Sequence, residues 1–453
     1  MNVDAFQASV RFGLGLRPGE NQAIGNDPRG WLKAQLEHPE IPPEVAPFKD
    51  QSEAAKALVA FYTGKKQQKD MPKAGKGEDM AKGETKLRLV RQAFMHETAL
   101  RLLAHQRSTQ PYIERLVMFW SNHFTVSVQK PVVSGLAHNY EVEAIRPHVT
   151  GRFADMLKAV VRHPAMLTYL DNAQSIGPNS RAGQRRNKGL NENLAREILE
   201  LHTLGVNGGY SQNDVIALAK ILTGWGLSRK GDSFEPRFAF APQTHEPGSK
   251  TLLGKTYAED GEAEGVKALD DLANHPATAR FIATKLVRHF VADTPPQAAI
   301  DKLASVFQAT MGDLRAVSQA LIDLPMVWAT PLVKFKTPYE YVVSTFRLLS
   351  FEPDQKQALG ALESLNYRVF NAASPAGYAD TSTAWAGPDA VMKRIEWARA
   401  LTRKLSNDID PKALADMAFG PVMREETRFV IAGAETARDG VAFLLSSPEF
   451  QRR

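Results

Sequence analysis

The stretch GLNENLAREILELHTLGVNGGY, residues 189–210, decides how this chain is read. It places three glutamates, three asparagines, an arginine and a histidine inside a helical frame bounded by glycines. Asn191 is the expected N-cap, and Glu192 falls in the first turn, where the helix dipole favours negative charge. Gly205 is the expected stop, because glycine enters the left-handed conformation without strain. At about 100° per residue, Glu192, Arg196, Glu200, Asn193 and Glu197 lie within an arc of roughly 140°. Leu194, Ala195, Ile198, Leu199 and Leu201 occupy the other side, and His202 sits with them, facing the core.

Such a face has two readings. In one it is solvated, with Arg196 paired to Glu192 and Glu200 at four-residue spacing. In the other it lines a cleft, where Glu192, Glu197 and Glu200 perform acid–base work and Asn193 and Arg196 hold substrate. The segment just upstream, residues 171–189, carries Arg181, Arg185, Arg186 and Lys188 among Gly, Asn and Ser. These cations suit capture of an anion beside the acidic helix.

Working outward, helix-period patterns dominate. Ser211 caps the next helix, with Asp214 in the capping-box position. Ile113, Leu116, Val117 and Trp120 recur at helical spacing up to FWSNHFTVS, residues 119–127, in which Trp120 is a candidate substrate platform. Helical runs also follow Pro276, Pro338 and Pro388, each a suitable first helical residue. His-Pro-Ala occurs at both His163 and His275. One small β-hairpin excursion is expected near 234–257, pairing Phe234–Ala241 with Thr251–Tyr257 around the THEPGS turn that carries His245. Residues 64–86, rich in Lys and Gly, are expected to form a mobile surface loop. The fold class is therefore mainly α: a single large multi-helix domain over residues 1–453.

Composition narrows the chemistry. The 453 residues contain no cysteine, so thiolate metal sites, disulfides and cysteine nucleophiles are absent. A net charge of +6 over this length is too diffuse for a dedicated nucleic-acid binder. No run approaches the ~20 apolar residues of a membrane span. The N-terminus lacks a basic start followed by an apolar run, so the expected location is cytoplasmic, or periplasmic if a leader has been removed. There is no HExxH, Walker or GxSxG pattern, and Gly13 and Gly15 lack the strand–turn–helix frame of a dinucleotide site.

Several stretches together resemble one bacterial family, the domain of unknown function 1800 proteins. They are RFGLGLRPGE (11–20), FWSNHFTVS (119–127), NENLAREILELHTLGVNGGYSQNDV (191–215), LTGW (222–225), HEPGSKTLLG (245–254), HPATARFIATKLVRHFV (275–291), KTPYEYVVS (336–344) and SPEFQRR (447–453). The family's usual form of this loop looks like His-Asp, where this chain has His245-Glu246. The resemblance implies a mostly helical domain and an association with envelope or polysaccharide functions, but no reaction.

The expectation drawn from the residues is a hydrolase-type enzyme acting on a polar or polysaccharide-like substrate through a His/carboxylate cluster. Glu192, Glu197, Glu200 and His245 are its catalytic candidates. Arg181, Arg185, Arg196, Asn193 and Trp120 are its candidates for contacting a polar or anionic small molecule or a glycan. A metal-assisted version has His123, His245 and Glu192 holding a divalent ion, and a metal-free version uses a carboxylate pair. The alternative is a non-catalytic binding or assembly protein whose charged central helix is a structural ion-pair network.

Overall fold

The structure, a computed structural model, describes residues 2–69, 76–186, 189–230, 233–329 and 332–453. The helical periodicity is realised almost throughout, so the protein is mainly α. The helix Phe153–Arg162 shows why. Phe153, Met156, Leu157, Val160 and Val161 recur at three- and four-residue spacing, and all are fully buried. Each such side chain contributes about 1.5–3 kcal/mol on leaving water. One continuous apolar cluster runs from Phe6 to Phe450 and draws on helices along the whole chain.

Caps fix where these helices start. Ser211 and Asp214 form the expected capping box. Thr337 and Glu340 form another, with Pro338 at the first helical position. The two His-Pro-Ala tripeptides turn out to be one device used twice. His163 and His275 are both N-caps, and the Nδ1 of each accepts the amide of the following alanine at 3.1 Å. The glycine-broken turn after Phe12 docks on buried guanidinium groups. The Gly13 carbonyl accepts from Arg115 Nε at 2.6 Å and the Gly15 carbonyl from Arg347 Nε at 2.9 Å. The end of the chain is stitched in as well, since Lys336 N donates to Gln451 O at 2.9 Å and Arg453 N to Lys334 O at 2.8 Å.

Two expectations need correction. The β-structure is two small antiparallel hairpins, not one. Trp225–Lys230 pairs with Ser233–Phe240, and Lys250–Leu252 pairs with Lys255–Tyr257. The Trp225-Gly226 step begins a strand. Phe240 therefore finds its partner upstream, opposite Trp225, rather than across the THEPGS turn. The expected loop at 64–86 is helix on both sides: Glu53–Lys69 and Lys76–Arg107 are helical, and residues 70–75 lie outside the described residues. High intrinsic helix propensity of Lys, Gln, Glu and Ala outweighs the scattered glycines there. Among the described residues, no helix is long and apolar enough to cross a membrane.

Candidate functional site

The central helix divides into two parts. Asn193–Glu197 is α-helical and Ile198–His202 is a π-turn. The cap position falls on Glu192, one residue later than expected, although Asn191 Oδ1 still accepts the Asn193 amide at 2.9 Å. Its polar face is partly exposed. Glu192 pairs with Arg196 at 3.1 Å and accepts from Gln212 at 2.8 Å. Glu200 accepts from the Tyr210 hydroxyl at 3.4 Å. Glu197 is half-buried, and burial together with Glu200 raises its pKa. Asn193, Arg181 and Arg185 are exposed, whereas Arg186 and Lys188 have no described side chains.

His245 lies in a different environment. Its Nδ1 faces the Thr223 carbonyl at 2.8 Å, and its Nε2 faces Glu264 at 3.1 Å, a carboxylate that Lys250 also binds at 3.0 Å. The neighbouring Glu246 accepts from the Asn179 amide and side chain at 2.8 and 2.6 Å. These contacts staple the 244–250 segment to the 177–183 segment and leave little of either group for substrate. Trp120 is 1% exposed and packs on His123, Phe124 and Phe153, so it is core rather than platform. The three metal candidates consequently occupy three settings: Glu192 at the surface, His245 in its staple, and His123 at a buried helix end. Among the described residues, no group of three or more His, Asp or Glu is placed to hold a metal ion.

A cavity lies elsewhere, where Pro111–His123, Pro276–Phe290 and Pro338–Leu348 approach one another beneath the 367–381 segment. Its volume is about 460 Å³, within the ordinary range of small-molecule sites. Ser121, Asn122 and His123 come from the first helix, Lys285, Arg288 and His289 from the second, and Tyr339 and Glu340 from the third. Tyr378, Asp380 and Thr381 close it. The closing segment is clamped by Asn122, whose Nδ2 donates to Tyr378 O at 2.9 Å and whose Oδ1 accepts from Tyr378 N at 2.7 Å. Gly377 allows this approach: it has φ +81°, and a Cβ there would lie 2.4 Å from the Asn122 carbonyl oxygen.

The central helix reaches this cavity through its end rather than its charged face. The π-turn puts Leu201 in the cavity wall and turns the His202 carbonyl onto His123 Nε2, 3.1 Å away. Gly205, at φ +84°, lets the Phe281 ring pack against it, with 2.7 Å between that ring and a hypothetical Cβ. His202 is buried as expected, and burial next to Lys285 lowers its pKa to about 3.

The electrostatics of the cavity are uneven. His289 Nδ1 and Asp380 Oδ2 are 2.8 Å apart, whereas the buried His289 Nε2 has no hydrogen-bond partner. Burial lowers His289 to about 4, with Asp380 pulling upward and Arg453 and Arg115 downward, so the imidazole is neutral at pH 7. Its Nδ1 is then the donor to Asp380, which leaves Nε2 as a free base. Asp380 is held well below the usual carboxylate range, because His289, Arg453 and Lys334 outweigh its burial. Glu340 binds Arg115 and lies 2.9 Å from Arg453 Nε. Arg101 is bidentate on Glu141, whose second partner is the Ser121 hydroxyl at 2.8 Å. His123 Nδ1, like His289 Nε2, is buried and unpaired. Burial, then Lys285 and His202, lower the His123 pKa well below its ordinary value.

Sequence reasoning therefore reached His123 but missed His289, Asp380, Lys285 and Arg288. A signal for three of them was present. In HPATARFIATKLVRHFV, Phe281, Lys285, Arg288 and His289 fall at i, i+4, i+7 and i+8, a stripe that carries three polar groups beside the buried Thr278, Ala279, Ile282, Ala283, Leu286 and Val287. Asp380 belongs to an irregular segment and carries no local signal.

A family model described as "Protein of unknown function (DUF1800)" matches residues 7–452. No curated protein and no solved structure matches the chain.

Proposed function

The chain belongs to the DUF1800 family, which supplies no activity, and we propose from the cavity itself that the protein is a hydrolase-type enzyme acting on a polar, glycan-like substrate, with His289 as general base. The observation that carries this reading is the His289–Asp380 pair. The partly exposed Asp380 carboxylate holds Nδ1 at 2.8 Å, while Nε2 is unsatisfied in a residue that lines the cavity. Asp380 fixes the tautomer and ring orientation and stabilises the imidazolium formed when Nε2 takes a proton from water. The His/carboxylate character expected from the sequence is kept, but it moves from the central helix to this pair. Four stretches that carry the family resemblance converge on the same cavity: 119–127, 191–215, 275–291 and 336–344. Phe281, Tyr367 and Tyr378, each partly exposed, supply apolar faces on which a sugar ring can stack.

The test is release of reducing ends from a polysaccharide panel, and of nitrophenol from chromogenic glycosides and esters, by the wild type and by His289→Gln. The reading expects release that His289→Gln lowers at least ~100-fold, the usual scale of general-base catalysis, with the melting temperature retained. Undiminished release by the variant overturns the role of His289. No release from any panel member by the wild type favours the second reading, a non-catalytic binding protein. The observation behind that alternative is the ion pairing of the cavity carboxylates Glu340 and Asp380.

A further inference from the structure

The cations around the cavity differ in one respect. Arg101, Arg115, Lys334 and Arg453 each have a carboxylate within ion-pair distance: Glu141, Glu340, Asp380 and Glu340, respectively. Lys285 and Arg288 also line the cavity, one helical turn apart on Pro276–Phe290, yet neither has an ion pair or a hydrogen bond among the described residues. The Nζ of Lys285 lies 5.6 Å from the centroid of the Phe281 ring. Asp380 is the carboxylate whose field reaches Lys285, but His289, Lys334 and Arg453 already share it. Two positive charges left over in a partly enclosed, aromatic-walled space call for an anion from outside, because low-dielectric surroundings make an unmatched charge costly.

We propose that Lys285 and Arg288 form an anion subsite, so that the ligand of this cavity is an acidic sugar or sugar-like molecule bearing a carboxylate, sulfate or phosphate. The assignment of that ligand as substrate rests on the hydrolase reading; the assignment of the subsite does not. The anionic substituent sits between the lysine ammonium and the guanidinium, and the body of the ligand lies along the rings toward His289. A neutral sugar leaves both cations unmatched and gains little.

Titration calorimetry on the full chain tests this, using glucuronate, glucose 6-sulfate, glucose 6-phosphate and glucose as probes. At least one anionic probe binds saturably while glucose does not, and the preferred probe identifies the anion. Lys285→Met and Arg288→Met each weaken that binding at least tenfold, and raising the salt weakens it in the wild type. His289→Gln keeps the binding within about threefold while losing turnover, which separates failure of the subsite from failure of the hydrolase reading. The subsite is overturned if no anionic probe binds, if glucose binds equally well, or if both cation variants bind like the wild type.

Discussion

Lys285→Met perturbs the cavity at its least compensated charge, and its effect on stability is opposite to that of most buried substitutions. Burial lowers the Lys285 pKa from 10.5 to about 8, with Asp380 opposing and Arg288 assisting. At about 1.4 kcal/mol per pH unit, keeping this lysine charged in the folded protein costs roughly 3 kcal/mol. Its partial exposure to the cavity trims that to about 1–2 kcal/mol. Loss of the contact with Phe281 returns about 0.5–1 kcal/mol. Methionine fills much the same volume without a charge, so the variant is expected to be more stable than the wild type by about 1 kcal/mol at pH 7. The pH dependence follows from linkage. The folded pKa lies below the unfolded one, so the penalty is fully present below about pH 8 and is relieved as the pH rises toward 10.5, where the unfolded chain also loses its proton. The advantage of the variant therefore shrinks between pH 7 and pH 10. Urea denaturation at both pH values measures it. A variant less stable than the wild type by more than about 1 kcal/mol at pH 7, or a difference that does not change with pH, would refute the argument that Lys285 is an uncompensated charge retained for a ligand.

Two further outcomes follow from the surrounding structure. Glu340→Gln removes the carboxylate between Arg115 and Arg453, so it should cost about 3–5 kcal/mol, whereas Asp389→Asn at the exposed pair with Lys393 should change stability by under about 0.5 kcal/mol in the same urea titration. Burial opposes ionisation of Glu340, but Arg453 and Arg115 outweigh it and hold its pKa well below the usual range; its contribution is thus intact at neutral pH and fades only as the pH falls below about 4.5. Gly377→Ala should cost about 1–3 kcal/mol through its left-handed backbone and the Asn122 contact, and it should speed amide exchange at Tyr378, while unchanged exchange would show that the clamp does not need glycine.

What could be read from the sequence was whatever is local. Helical stripes, the Ser211 box, the Gly205 stop and the inward turn of His202 depend on neighbours within a few residues, and all are present in the structure. The β-pairing was misread because the choice of strand partner is non-local: Phe234–Ala241 had apolar runs on both sides, and the burial of Trp225 decided between them. The cavity was partly hidden for a similar reason. Four charged residues crowd into 192–200, whereas Phe281, Lys285, Arg288 and His289, which face the cavity, are interleaved with buried apolar residues. Nothing in the sequence near Asp380 shows that it meets His289, 91 positions away. The charges that matter most here, Glu340, Arg115 and Arg453, come from three distant segments and pair only once the chain is closed.

The π-turn at Ile198–His202 amounts to one extra residue in a helical turn. Without it, the residues after Ile198 would be rotated by about 100°, and the His202 carbonyl would no longer face His123. The helix thus keeps two registers, one that gives its carboxylates to water and one that seats its end against the cavity. A one-residue change between Ile198 and His202 would detach the cavity wall while leaving Glu192, Arg196 and Glu197, which precede the π-turn, where they are.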